Sequence, residues 1–145
     1  MQYFKPPKYM VLKKQHKNRI SGQVLKLQNL ELKMGSIGLK ALENGRLTPK
    51  QLEAMRRSLA RKLQKIGKIL FHVFPETAIT KKPKEIRMGK GKGAIKLWIA
   101  KVYAGKLLLE ISNIPPDQAR EILFSAAAKL PVKTTIIFCS QRKSL

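Results

Sequence analysis

The stretch TPKQLEAMRRSLARKLQKIG, residues 48–67, decides how this chain can fold. Its first four residues combine an N-capping threonine, a proline at the first helical position and a glutamine three residues after the cap, the pattern of a capping box. We expect a helix that continues to Gly67, a residue typical of the C′ position. Apolar side chains recur on one side of this helix, at Leu52, Met55, Leu59, Leu63 and Ile66. The helix therefore needs a second layer that covers this apolar side.

The opposite side of the same helix is cationic. At 100° per residue, a second stripe is formed by Lys50, Arg57, Arg61, Lys65 and Lys68. Glu53 is the helix's only acid, and we expect it to leave this stripe un-neutralised. The pattern favours a face that contacts phosphates, and the alternative is a solvated lysine surface.

Apolar runs on both sides of this helix predict strands, and a second helix is predicted between Pro115-Pro116 and Pro131. The predicted strands are residues 35–47, 69–74, 94–103, 107–111 and 134–138. The third and fourth of these are expected to pair as a hairpin around residues 104–106. The order of elements predicts an α+β fold, with two helices packed on one mostly antiparallel sheet.

Composition narrows the functional classes. The chain has 145 residues with 31 Lys+Arg against 8 Asp+Glu, a formal net charge of +23. Such an excess indicates a polyanionic partner: nucleic acid, an anionic membrane surface or an acidic protein. Hydrophobic residues make up 43%, enough for one core. A single cysteine excludes a disulfide framework and a multi-cysteine metal site, and no apolar run is long enough to span a bilayer.

Residues 75–94 lack hydrophobic periodicity and are expected to form a long functional loop. Its centre, RMGKGKG at residues 87–93, alternates glycine with lysine. Glycine lets the backbone approach a phosphate and adopt positive φ, and lysine supplies mobile charge. A dinucleotide-binding fingerprint is not supported, since a strand and not a helix is predicted to follow. Paired carboxylates and nucleophile–base spacings are lacking too, so we predict neither an enzyme nor a cofactor or metal site.

Many ordered stretches of the chain resemble the bacterial and organellar family of large-subunit ribosomal protein sixteen. The resemblance is carried by KQHK at 14–17, GSIGLKA at 35–41, GRLT at 45–48, QLEAMRR at 51–57, VFP at 73–75, RMGKGKG at 87–93 and AAAKLP at 126–131. It covers nearly the whole chain, and the glycine–lysine segment after Arg-Met is highly specific to the family.

The resemblance implies an α/β-hammerhead type fold and a non-enzymatic component of the large ribosomal subunit. Its partners would be large-subunit ribosomal RNA, transfer RNA and neighbouring ribosomal proteins. In the family this loop points toward the transfer-RNA binding region near the peptidyl-transferase centre. In this chain, the resemblance assigns this transfer-RNA-proximal role to Lys84, Arg87, Met88, Gly89, Lys90, Gly91, Lys92 and Gly93.

We therefore predict a basic N-terminal arm at residues 1–34, one RNA-binding domain at 35–138 and a tail at 139–145. Contacts with ribosomal RNA are expected from the arm and from the cationic side of the first helix. The residues are Lys5, Lys8, Lys13, Lys14, Lys17, Arg19, Lys50, Arg57, Arg61, Lys65 and Lys68.

Two alternatives remain at this stage. A free-standing cationic RNA chaperone would have the same charge, and co-sedimentation with the large subunit would distinguish it from a ribosomal component. For the location, the excess of lysine over arginine and the divergence of residues 18–32 from the family's glycine-rich arm favour a mitochondrial ribosome. A bacterial cytoplasm or a plastid is the alternative.

Overall fold

A computed structural model describes residue 4, residues 14–16, 32–63 and 66–139. In chain order, its elements are β1 (Ile37–Ala41), β2 (Gly45–Leu47), α1 (Pro49–Leu63), β3 (Lys68–Phe71), β4 (Thr77–Lys81), β5 (Ala94–Val102), β6 (Leu107–Ser112), α2 (Pro116–Ala127) and β7 (Thr134–Phe138). This is an α+β fold, as the order of elements predicted.

The strands form two sheets rather than the single sheet expected. One has the order β3-β6-β1-β7 and the other the order β2-β5-β4, and all their pairings are antiparallel. Leu39 of the central strand β1 lies opposite Leu109 on one side and Ile136 on the other. The predicted strand 35–47 is thus two strands, β1 and β2, and each belongs to a different sheet.

The predicted hairpin of residues 94–103 and 107–111 is wrong. β5 pairs with β2 and β4, whereas β6 pairs with β1 and β3. The turn at Gly105, which has φ of +90°, exists but carries the chain from one sheet to the other. Adjacent apolar runs joined by a glycine turn favour a hairpin locally. Here β6 pairs elsewhere, because its residues Leu107 to Ile111 are all buried and both faces of the strand therefore need partners.

The helices bury their apolar sides: α2 packs against β1 and β7 of the four-stranded sheet, and α1 packs against α2 and against β5 of the other sheet. Leu52, Met55, Leu59 and Leu63 of α1 are buried, and so are Ala119, Ile122, Leu123 and Ala126 of α2. Ile66 departs from the predicted stripe, because α1 ends at Leu63 and Ile66 is 72% exposed. Gly67 does not have the positive φ typical of a C′ glycine. A Cβ there would collide with Ile114, so glycine is needed at this position for close packing.

Two further features differ from expectation. Residues 77–81 of the predicted loop 75–94 form β4, so the connection between β4 and β5 is shorter, residues 82–93. Phe4 lies in the hydrophobic core, with its ring edge-on to Phe71 at 5.3 Å between centroids. The proposed domain boundaries at 34/35 and 138/139 stay predictions.

Candidate nucleic-acid interface

A cationic groove of about 1210 Å³ runs between α1 and the first half of β5. Leu97 and the buried Trp98 contribute apolar surface to it. Its basic side chains come from three parts of the fold: Lys50, Arg57, Arg61, Lys62, Lys96 and Lys129. Glu53 is the one acid among the lining residues that the structure describes. Such a concave row of cations suits a phosphodiester backbone.

The capping box sets where α1 begins and thus how its side chains are oriented. The backbone N–H of Thr48 donates to Gln51 Oε1 at 2.8 Å, and the N–H of Gln51 donates to Thr48 Oγ1 at 3.4 Å. Burial of Leu52, Met55 and Leu59 then fixes the rotation of the helix. The cationic side consequently lines the groove, as predicted for Lys50, Arg57 and Arg61.

Glu53 neutralises part of this surface, contrary to expectation. Its carboxylate accepts from Arg56 Nη2 at 2.7 Å and from Arg57 Nε at 3.1 Å. These contacts, led by the Arg56 hydrogen bond, lower the pKa of Glu53 to about 2, so it is charged at neutral pH. Arg57 is therefore ion-paired. None of the ion pairs among the described residues involves Lys50, Arg61 or Lys96.

Lys68 lies elsewhere: it is an exposed residue of β3, not of the helix. Lys65 and five arm residues predicted to contact ribosomal RNA lie outside the described residues: Lys5, Lys8, Lys13, Lys17 and Arg19. Sequence reasoning missed Lys62, Lys96 and Lys129 as groove residues. The cationic stripe could have indicated Lys62, but only the packing of β5 and α2 beside α1 reveals the other two.

The glycine–lysine segment, residues 84–93, projects from the fold. Lys84 to Lys92 are exposed, and the side chain of Met88 is 98% exposed. Gly89, Lys90 and Gly91 have φ of +99°, +52° and +79°. A Cβ on Gly89 or Gly91 would meet no neighbour within 4 Å, so glycine is needed there for backbone conformation rather than for space. Lys82 Nζ donates to the Gly89 carbonyl and braces the turn.

The base of this segment contacts the described part of the arm. Lys14 Nζ donates to the Lys92 carbonyl at 3.0 Å, and Lys92 Nζ donates to the Gln15 carbonyl. Gln15 Nε2 also donates to the carbonyl of Glu76, at 3.3 Å. Two regions that sequence reasoning treated separately thus form one surface, and Lys92 is part of the joint between them.

A second cluster surrounds Glu110, an acid within the apolar run of strand β6 whose side chain is only 1% exposed. Its oxygens accept from the consecutive backbone N–H groups of Lys33, Met34 and Gly35 at 3.1, 2.9 and 2.7 Å. Burial raises the pKa of Glu110. The hydrogen bonds from these N–H groups and the nearby His72 lower it by more than burial raises it, so the pKa lies below its ordinary value. Sequence reasoning missed this cluster, although an acid inside an apolar strand was a visible signal.

Within the described ranges, no three His, Cys, Asp or Glu side chains are grouped so as to hold a metal ion. The helices described, α1 and α2, are not long and apolar enough to cross a membrane.

The fold and the groove define a basic α+β protein with a concave cationic surface, and comparison with known proteins identifies the class. The model of the family "Ribosomal protein L16p/L10e" matches residues 7–137. The chain is thus similar to ribosomal proteins, which are structural components and not enzymes. Because the match spans most of its length, the chain belongs to the ribosomal protein L16p/L10e family.

Curated relatives agree with this assignment. A "Large ribosomal subunit protein uL16" of Azorhizobium caulinodans is 49% identical over 131 residues, covering 90% of this chain and 94% of the relative. Proteins of the same name from Psychrobacter cryohalolentis and Psychrobacter arcticus are each 47% identical with the same coverage. The predicted family and the non-enzymatic class are confirmed. These relatives are bacterial, so the mitochondrial origin stays a prediction.

Proposed function

We propose that this chain is a structural constituent of the large ribosomal subunit and that the groove beside α1 binds large-subunit ribosomal RNA. The observation that carries the proposal is the convergence of six cations from α1, β5 and the turn after α2 on one groove. Family membership supplies the ribosomal context, and the names of the relatives supply the subunit.

The groove has the chemistry that a folded RNA requires. Arg61 provides a planar donor that can bind a phosphate through two hydrogen bonds, and Lys50 and Lys96 provide mobile point charges. Leu97 and Trp98 supply apolar surface for sugars. Phosphate contacts of this kind position a protein on RNA without reading its sequence.

We also propose that the glycine–lysine segment, residues 84–93, lies near transfer RNA in the assembled subunit. Family resemblance is the main support. The exposed cations Lys84, Arg87 and Lys90 and the left-handed backbone at Gly89 and Gly91 are consistent with close approach to phosphates.

A pair of matched double variants tests the groove. Arg61→Ala with Lys96→Ala removes two groove cations, and Arg120→Ala with Lys133→Ala removes the same charges elsewhere on the surface. We expect the groove variant to reduce the salt dependence of ribosomal RNA binding by about 1.5 in log–log slope, since each phosphate contact contributes about 0.7–0.9. Equal effects of the two variants would contradict the groove assignment.

Co-sedimentation tests the alternative of a free-standing RNA chaperone. A constituent remains with the large subunit in stoichiometric amount after a high-salt wash, whereas a chaperone is released. The location is tested separately, by fractionating cells of the source organism. Lysine-rich composition favours the mitochondrial ribosome, and the bacterial cytoplasm suits the relatives described above.

A further inference from the structure

The outward face of α2 differs from the rest of this basic surface. Opposite its buried side, α2 exposes four neighbouring side chains, Asp117, Arg120, Glu121 and Phe124, which we call the α2 face. At 100° per residue these four positions fall on one stripe. The phenyl ring of Phe124 lies near the middle of that stripe and is 75% exposed.

The charge of the α2 face is opposite to that of the groove. Helix α1 carries five cations and one acid, whereas α2 carries one cation and two acids in a chain of net charge +23. Asp117 and Glu121 would repel an RNA backbone. This face is therefore unsuited to the partner that the groove binds.

The apolar part of the surface extends beyond the helix. The guanidinium carbon of Arg120 lies 5.6 Å from the ring centroid of Phe138, at the end of β7, and Phe138 is 47% exposed. Arg120 thus lies beside the exposed ring of Phe138 and one helical turn before the exposed Phe124, and the acids Asp117 and Glu121 lie on the same stripe of α2. Aromatic and arginine side chains at the centre with charged groups at the edge are typical of protein–protein interfaces.

We propose that the α2 face, together with Phe138, docks a basic segment of a neighbouring protein in the large subunit, with an apolar side chain of that segment against Phe124. The inference rests on the proposed function, since it needs the chain to be in the subunit. Charge complementarity indicates a lysine- or arginine-rich polypeptide as the partner, because Asp117 and Glu121 attract cations. The exposed phenyl rings offer a surface on which an apolar side chain of that polypeptide can pack.

Photo-crosslinking in assembled subunits tests this directly. Phe124→p-benzoylphenylalanine places a reactive ring on the α2 face, and Arg61→p-benzoylphenylalanine places the same ring in the groove. Purified large subunits are irradiated, and the cross-linked species are identified by nuclease treatment and mass spectrometry. We expect RNA at position 61 and a basic peptide of another protein at position 124.

The outcomes separate the two proposals. RNA at 61 with an RNA, an acidic peptide, a second copy of this chain or nothing at 124 overturns the docking inference alone. Absence of the unaltered chain from large subunits, or no RNA at position 61 in subunits that contain the variant, contradicts the proposed function. Exclusion of the Arg61 variant alone supports the groove assignment, because that variant has lost a groove cation.

Charge and shape variants give an independent measure. Asp117→Lys with Glu121→Lys is expected to lower the cross-link yield at position 124 by about tenfold. Phe124→Ser is expected to weaken retention of the neighbour by about tenfold in a salt wash. Ile66→Ser, which alters a side chain of similar exposure outside this face, serves as the control. Equal loss in the control, or unchanged yield on charge reversal, overturns the inference.

Discussion

His72 Nε2 lies 2.8 Å from Glu110 Oε1 and links the residue that follows β3 to the neighbouring strand β6. The same carboxylate accepts three consecutive backbone N–H groups from residues 33–35. Glu110 thus ties the chain entering β1 to the four-stranded sheet. Because the carboxylate is buried and fully hydrogen-bonded, its charged form is part of the fold.

Glu110→Gln is the first prediction. One amide oxygen cannot replace two carboxylate oxygens, and the new NH₂ group faces backbone donors. We expect a loss of about 1–3 kcal/mol in the free energy of unfolding at neutral pH, measured by urea denaturation. Glu85→Gln, on an exposed residue, is the control and should change it little.

The same pair of proteins predicts a pH dependence. The pKa of Glu110 is lowered from 4.5 in the folded state, so its contribution is fully present above pH 4.5 and is lost as the pH falls through the folded value. The stability difference between the parent protein and Glu110→Gln should therefore shrink below pH 4.5. A difference that is constant from pH 7 to pH 3 would mean that folding does not lower the pKa of Glu110.

Leu59→Ala tests which side of α1 faces the core. Leu59 is fully buried, and we expect a loss of about 2–5 kcal/mol in the free energy of unfolding. Leu42→Ala makes the same chemical change at a side chain that is 56% exposed, so it should cost far less. Similar losses for both would show that the helix rotation is misassigned.

Glu53→Gln removes the acid that holds Arg56 and Arg57. Surface ion pairs contribute about 1 kcal/mol or less, so the free energy of unfolding should change little. Affinity for ribosomal RNA should rise and its salt dependence steepen, because Arg57 becomes available to a phosphate. Filter binding over a range of salt concentrations checks this, and Glu121→Gln on the α2 face is the matched control.

Lys90→Ala with Lys92→Ala separates assembly from function. Both side chains are exposed, so folding stability should be nearly unchanged. The variant should enter large subunits but slow translation at transfer-RNA accommodation, measured in single-turnover assays. Lys92→Ala alone also removes the contact with the Gln15 carbonyl. If Lys92→Ala accounts for the whole effect and Lys90→Ala for none, arm anchoring rather than transfer-RNA contact explains it.

Local patterns in the sequence predicted the features that a few adjacent residues encode. The capping box at Thr48 and the spacing of Leu52, Met55 and Leu59 identified α1 and its buried side, because cap bonds and a 3.6-residue period act within one or two turns. The alternation of glycine and lysine likewise indicated the left-handed backbone at Gly89 and Gly91.

The sequence by itself therefore determined the family, the net charge, the helices and the exposed glycine–lysine segment. Only the tertiary structure decided which strands pair, how Lys96 and Lys129 join Arg61 in one groove, and that Glu110 and His72 meet across 38 residues. Strand pairing and charge clustering depend on residues far apart in the chain, and the burial of β6 on both faces outweighed the local preference for a hairpin with β5.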